Sequence, residues 1–199
     1  WYYRSGYLKE SIKKQQLDEV YFAGSYSDRR NQIISNINHN NINISGSGWI
    51  DKKGKNLMGN ANFDQMHENF STHKFNINIL TKENRDTSNL RNFEIPSSFG
   101  FQLSERSSKI QSLFDEDKEI VLFETIEELN DKIDFYSRNE SAREAMIYNA
   151  HKRLIKSDDD TFLVKMLESL DDIIKGKQSF EIVDKNIKDT LNSQFINPI

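Results

Sequence analysis

The chain has 199 residues, 36% of them apolar and 29% charged, which suits one large domain or one domain plus appendages. Its 27 basic residues against 31 acidic ones give a net charge of -4, which argues against a dedicated nucleic-acid binder. With no cysteine, disulfides, thiolate nucleophiles and zinc–thiolate sites are excluded.

No apolar run reaches the roughly eighteen residues of a membrane span, and no signal peptide opens the sequence. A cytoplasmic location is expected, with peripheral attachment at a membrane left open. The first residue is Trp1, so the sequence is expected to be a piece of something longer.

Residues 1–18 are polar and aromatic, with a helix expected near Leu8–Gln16; they read as a lead-in from a preceding domain. Glu19–Ala23 is a short apolar run closed by Gly24-Ser25, the pattern of a buried strand and its turn. Asp28 is a candidate N-cap for a helix that carries Ile33, Ile34 and Ile37 on one side. Ile42-Asn43-Ile44 predicts the next strand, closed by Gly46-Ser47-Gly48-Trp49, and residues 51–62 read as a polar loop. A helix over Phe63–Phe70 precedes a strand over Phe75–Leu80.

The loop Thr81–Ser88 leads to a helix bearing Glu94, in which Pro96 is expected to cause a kink or an early end. In a regular helix interior proline costs roughly 3 kcal/mol. Phe101-Gln102-Leu103 and Glu119–Phe123 predict further strands, and the rest is helical. Thr125 with Glu128, and Ser141 with Glu144, fit capping boxes. A last clear helix is expected over Thr161–Lys175, with weaker periodicity from 176 to 199.

Strands alternate with helices through residues 19–137, which predicts parallel βαβ units and an open sheet covered on both faces. Ligands of such folds sit at the carboxyl ends of the strands, near a switch in strand order. Gly24, Gly46–Trp49, Thr81–Ser88 and Ser104–Arg106 all follow strands and so share that edge. A helix start offers unpaired backbone N–H groups that suit phosphate. A carboxylate one turn further in, Glu94, can accept from the two hydroxyls of a ribose. The two together suggest a nucleotide diphosphate.

The pieces Val20–Ser27, Gly46–Trp49, Phe75–Ile79, Asn89–Pro96 and Gly100–Glu105 occur in a telling order. In that order they resemble the C-terminal, nucleotide-sugar-binding domain of GT-B glycosyltransferases, most closely the CgeB-like (spore maturation protein) group. The resemblance covers about residues 19–156, with 157–199 left as a helical extension. It implies an α/β, Rossmann-like doubly wound parallel sheet, the C-terminal half of a GT-B fold, with C-terminal helices.

It also implies transfer of a sugar from a nucleoside-diphosphate sugar to an acceptor hydroxyl on a glycan, protein or small molecule. An upstream GT-B domain would supply the acceptor side, so this chain alone is expected to be inactive. No cofactor, metal or nucleic acid is expected.

Many retaining members carry two acids at the spacing of Asp86 and Glu94, the second holding the donor ribose. Glu94 matches that second acid. Asp86 stands where glutamate is usual and is the candidate sugar contact. Arg91 either pairs with an acid on its own helix or faces the diphosphate, which suits the fixed fork of a guanidinium. Ser88, Asn89 and Leu90 would act through backbone N–H.

Arg85 and Lys82 share the loop, and Gly24, Ser25, Gly48 and Met58 are further candidate contacts, Leu57 and Gly59 flanking Met58 beside the base. Phe99 is expected to narrow the site. Trp49 reads as a packing residue, and His39, His67, His73 and His151 show no metal-ligand spacing. No complete G-x-G-x-x-G opens a helix, which argues against a nicotinamide enzyme. A second function fits the same residues: a non-catalytic glycosyltransferase-like module for ligand sensing or protein interaction.

Overall fold

The computed structural model describes residues 16–50, 55–81 and 87–155. Among these described residues six strands form one all-parallel sheet: β1 (Leu17–Ala23), β2 (Ile42–Ser45), β3 (Lys55–Gly59), β4 (His73–Asn78), β5 (Gln102–Glu105) and β6 (Val121–Phe123). Their spatial order is β3-β2-β1-β4-β5-β6, the doubly wound arrangement, with its switch point between β1 and β4. The helices are α1 (Asp28–Ser35), α2 (Phe63–Thr72), α3 (Arg91–Ser97), α4 (Ser108–Leu113), α5 (Ile126–Arg138) and α6 (Glu140–Ile155).

The sheet has two chemically different faces. Strand side chains alternate, so one set points each way. Val20, Phe22, Ile42, Ile44, Phe75, Ile77, Leu103, Val121 and Phe123 face α1 and α5 and form the main core. Each such large side chain stabilises the fold by about 1.5–3 kcal/mol through burial. The opposite face meets α2, α3 and α4 through Tyr21, Met66, Phe70 and Ile95, and through Leu80, Phe93, Ile110, Leu113 and Leu122.

Between those apolar patches lies a row of buried polar side chains: Asn43, Asn76, Asn78, Gln102 and Ser104. Register places Asn43 and Asn76 on either side of Tyr21, and pairs Asn76 with Gln102 and Asn78 with Ser104. Asn43 donates to Glu19 Oε2 at 2.6 Å and accepts from Asn56 at 2.8 Å.

Several local expectations are corrected. Ser27, not Asp28, caps α1, its Oγ accepting from Arg30 N at 3.2 Å. Asp28 becomes the first helical residue, where an acid suits the dipole. Part of the expected 51–62 loop is strand β3, paired with β2 at the edge of the described sheet, with Leu57 against the core. An edge strand needs few apolar residues, which hid it. Thr125 does cap α5, accepting from Glu128 N at 3.1 Å, but Glu128 reaches back to Glu124 N. Ser141 lies inside α6 and caps no helix among the described residues.

Pro96 ends α3 early instead of kinking it. It occupies the last turn, and the chain leaves through Phe99 in the left-handed region (φ 56). Phe99 N–H then bonds Pro96 O and Gly100 N–H bonds Ile95 O, the double bond that closes a helix end. The expected lead-in before residue 16, the whole 157–199 extension and with it the helix over Thr161–Lys175 lie outside the described residues.

Candidate functional site

Loops converge at the carboxyl edge of the sheet because backbone and arginine contacts tie them together. Gly24 N–H bonds Ser45 O at 2.8 Å, and Tyr26 N–H bonds Ser47 O at 2.8 Å, joining the loops after β1 and β2. A Cβ on Gly46 (φ +145) would stand 2.1 Å from Gly24 O, so only glycine permits this approach. Trp49 Nε1 donates to Gly24 O at 2.8 Å and packs edge-on against Phe22 and Tyr26, the packing role expected of it.

From the start of α1, Arg30 donates to Ser25 O and Ile79 O, both at 3.0 Å. Arg29 bonds Leu80 O at 3.1 Å and grips the Glu105 carboxylate with both arms. Glu105 in turn accepts Leu80 N–H at 2.6 Å. Arg29 and Glu105 line a pocket with Leu80, Arg106, Phe123 and Glu124, beside the ends of β4, β5 and β6. Nothing local in the sequence marks the two arginines: Arg29 and Glu105 meet across 76 residues, and Arg30 meets Ile79 O across 49.

Glu94 sits on α3 with only 7% of its side chain exposed. Its carboxylate is paired with Arg91, whose side chain is 28% exposed. Arg91 Nε also donates to Ala23 O, the last residue of β1, at 3.3 Å, and its guanidinium lies 5.9 Å from the Phe70 ring. The pair therefore stands between the ends of β1 and β4, at the switch in strand order.

Glu94 is neither turned to solvent nor unpartnered, and of the two roles open to Arg91 the structure realises the pairing with an acid on its own helix. The main-chain oxygen of Glu94 accepts from Ser97 Oγ and Ser98 Oγ, each at 2.8 Å. Ser98 also meets His67 Nδ1, so His67 belongs to this neighbourhood. Burial holds the His67 imidazole below its ordinary pKa; nearby Glu94 opposes that and Arg91 adds to it.

The loop before α3 is gripped from the strands. Asn78 and Asn89 exchange two side-chain bonds, each 3.0 Å, and Ser88 is fully buried. Asn89 N–H donates to Asn92 Oδ1 at 3.0 Å, which corrects the expectation that this amide is open to a ligand. No partner accepts from the amides of Leu90 and Arg91 among the described residues. The Leu90 side chain is exposed.

Gly24 and Ser25 lie beside this group, at the end of β1. Gly48 (φ +80) lies against Tyr26 in the adjoining loop. Met58 is exposed on edge strand β3, with β2 between it and β1. Lys82, Arg85 and Asp86 fall outside the described residues. Phe99 does not narrow the crevice. It follows the far end of α3, at the amino edge of the sheet, and stacks on His151 of α6 with ring centres 3.5 Å apart. His151 also bonds Pro96 O at 3.0 Å.

A family model described as glycosyl transferase-like matches residues 29–159. No curated protein matches the chain in sequence. Among solved structures, one similar to it is the C-terminal domain of a glycosyl transferase group 1 family protein (LpcC) from Francisella tularensis. That likeness has 11% identity and a TM-score of 0.55, covering 79% of this chain and 93% of that one.

A T4 phage BGT mutant in complex with UDP-glucose is 16% identical, with a TM-score of 0.63, covering 77% of this chain and 48% of that one. Anabaena Alr3699/HepE in complex with UDP-glucose is 11% identical, with a TM-score of 0.57 over 82% of this chain and 50% of that one. The chain thus spans nearly all of the first structure and about half of the other two. These identities speak for the fold, which is that of GT-B C-terminal domains.

Proposed function

The chain belongs to the glycosyl transferase-like family, and from that premise we propose that it is the donor-binding domain of a glycosyltransferase. It would bind a nucleoside-diphosphate sugar, as structures of similar fold do with UDP-glucose. The observation that carries this is the Arg91–Glu94 pair tied to the end of β1 at the switch point.

Glu94 would accept hydrogen bonds from the two ribose hydroxyls. That requires the Glu94 carboxylate to trade part of its bond to Arg91 for the diol. The partly exposed guanidinium would then turn to the diphosphate, with the Leu90 and Arg91 amides beside it. A bidentate donor suits phosphate oxygens. Preorganised donors of this kind stabilise the charge that grows on the leaving diphosphate.

Asp86 would contact the sugar and Arg85 the diphosphate. Gly24, Ser25 and Gly48 would line the approach, and Met58 would lie toward the base. An upstream domain would bring the acceptor hydroxyl to this edge, with no metal required. The CgeB-like group remains the proposed subfamily and the cytoplasm the proposed location. No described helix is long and apolar enough to cross a membrane.

The test is titration of UDP-, GDP- and ADP-glucose against the protein, followed by melting temperature and calorimetry. Ligand at a hundred times its dissociation constant adds about 2.7 kcal/mol of stability. Glu94→Gln should remove most of that gain. A protein that binds none of the three nucleotides would overturn the donor site and favour the non-catalytic interaction module.

A further inference from the structure

The loop delivering α3 is fastened from beneath by a closed ring of short polar side chains. Asn78 Nδ2 donates to Asn89 Oδ1 and Asn89 Nδ2 to Asn78 Oδ1, both at 3.0 Å. Asn78 and Asn92 each donate a further bond to Ser104 Oγ, both at 3.2 Å. Asn92 Oδ1 accepts Asn89 N–H at 3.0 Å and closes the ring. Asn92 and Ser104 are fully buried, and Asn78 is 2% exposed.

We propose that Asn78, Asn92 and Ser104 are positioning residues of the donor site, setting the height and rotation of the first turn of α3 and so the places of Arg91 and Glu94. This rests on the donor-site function proposed above.

Two features separate the ring from ordinary core packing. First, Asn89 and Asn92 have the spacing of a capping pair, yet the Asn89 side chain makes no cap to α3. Asparagine at a cap stabilises a helix by about 1 kcal/mol. Here that side chain is committed to Asn78 on β4 instead.

Second, the ring joins the carboxyl ends of β4 and β5, beside the switch point. Ser107 Oγ fixes the same loop from the far side, donating to Thr87 O at 2.7 Å. Apolar contacts would fill the space but leave rotation loose. Directional bonds between buried amides fix both distance and angle.

The test uses the full chain and UDP-glucose, read by calorimetric titration alongside melting temperature. Asn78→Leu should weaken binding about tenfold or more, because the ring would no longer hold Arg91 and Glu94 in place. Ser104→Ala should weaken it less, and Ser104→Thr, which restores the hydroxyl, should bind like the parent.

Asn43→Leu removes a buried amide from the same face near the other edge of the sheet. It should lower the melting temperature yet leave binding within about twofold, as expected of an independent site. In a Glu94→Gln background, Asn78→Leu should cost less than it does in the parent, because only the part that acts through Arg91 remains.

The ring's role is overturned if Asn78→Leu binds like the parent, if Asn43→Leu weakens binding equally, or if the Glu94 and Asn78 effects simply add. A parent protein that binds none of UDP-, GDP- and ADP-glucose overturns the donor site itself, and the ring's role with it.

Discussion

Arg91 Nε donates to the carbonyl oxygen of Ala23 at 3.3 Å, joining the first turn of α3 to the last residue of β1 across the switch point. The same guanidinium holds the buried carboxylate of Glu94. Removing either partner should therefore have unequal consequences. Arg91→Met leaves a charge that is almost fully buried without its counter-ion, whereas Glu94→Gln leaves a guanidinium that reaches water. Breaking a fully buried pair costs about 3–5 kcal/mol, and the exposure of Arg91 reduces that to about 2 kcal/mol for Arg91→Met, with less for Glu94→Gln. Urea unfolding of both variants checks the order; equal losses would contradict it.

Two glycines with positive φ should respond differently to alanine. At Gly46 the added methyl would meet Gly24 O at 2.1 Å, and at Gly59 (φ +72) it would meet nothing within 4 Å. Gly59→Ala should cost about 1 kcal/mol, the penalty of the left-handed backbone alone. Gly46→Ala should cost well beyond that and loosen the junction of the loops after β1 and β2. Melting temperatures of the pair, with trypsin cleavage near the junction, decide the matter.

Acid should weaken the fold before most carboxylates protonate. Burial holds the imidazoles of His67, His73 and His151 below their ordinary pKa. The unfolded chain then takes up protons at about pH 6.5, where the folded one resists. This stability is complete above that pH and is lost as pH falls through the lower folded values. Unfolding free energy measured from pH 7.5 down to 5.5 should decline, and His73→Gln should flatten part of the decline. A level profile would show that burial does not act on these rings.

Helix α2 starts with a reciprocal cap: Asn62 Oδ1 accepts Gln65 N–H at 2.9 Å and Gln65 Oε1 accepts Asn62 N–H at 3.0 Å. Asn62→Ala should cost about 1 kcal/mol. The loss should show in chemical denaturation with an unchanged slope. A variant as stable as the parent would mean that water replaces the cap at no cost.

Much of this architecture was legible because strong local signals agreed. Apolar runs around Val20–Ala23, Ile42–Ile44 and Phe75–Leu80, each closed by glycine or a polar loop, predict β1, β2 and β4, and their alternation with helices predicts the parallel sheet. Strand β3 was not legible, since its sequence Lys55–Gly59 carries little apolar weight and its strand character comes from pairing with β2. The Asn62–Gln65 cap has its signal in plain spacing, two amide side chains three residues apart at a helix start.

In the candidate site, Glu94 was legible from the motif around it, and its pairing with Arg91 was one of two arrangements that spacing permits. Arg29 and Arg30 were not, because each meets a carbonyl of the β4 end 51 or 49 residues away. Likewise nothing local marks Asn78 and Asn89 as partners, since both fit their own elements and meet only once β4 and α3 are in place.

The amide-lined face of the sheet gives the fold a proofreading device. Sliding β4 by two residues would keep Phe75, Ile77 and their apolar neighbours pointing inward, so greasy contacts alone would accept the error. The same slide would strand Asn78 away from Asn89 and Ser104, and Asn76 away from the Phe70 and Phe101 oxygens it now serves at 2.9 Å and 3.2 Å. One asparagine would take the other's place, but Lys74 or Leu80 would enter the place left over, so the slipped chain carries either a buried charge or amide partners left unserved. Polar partners on this face thus penalise a slipped register that apolar contacts alone would tolerate.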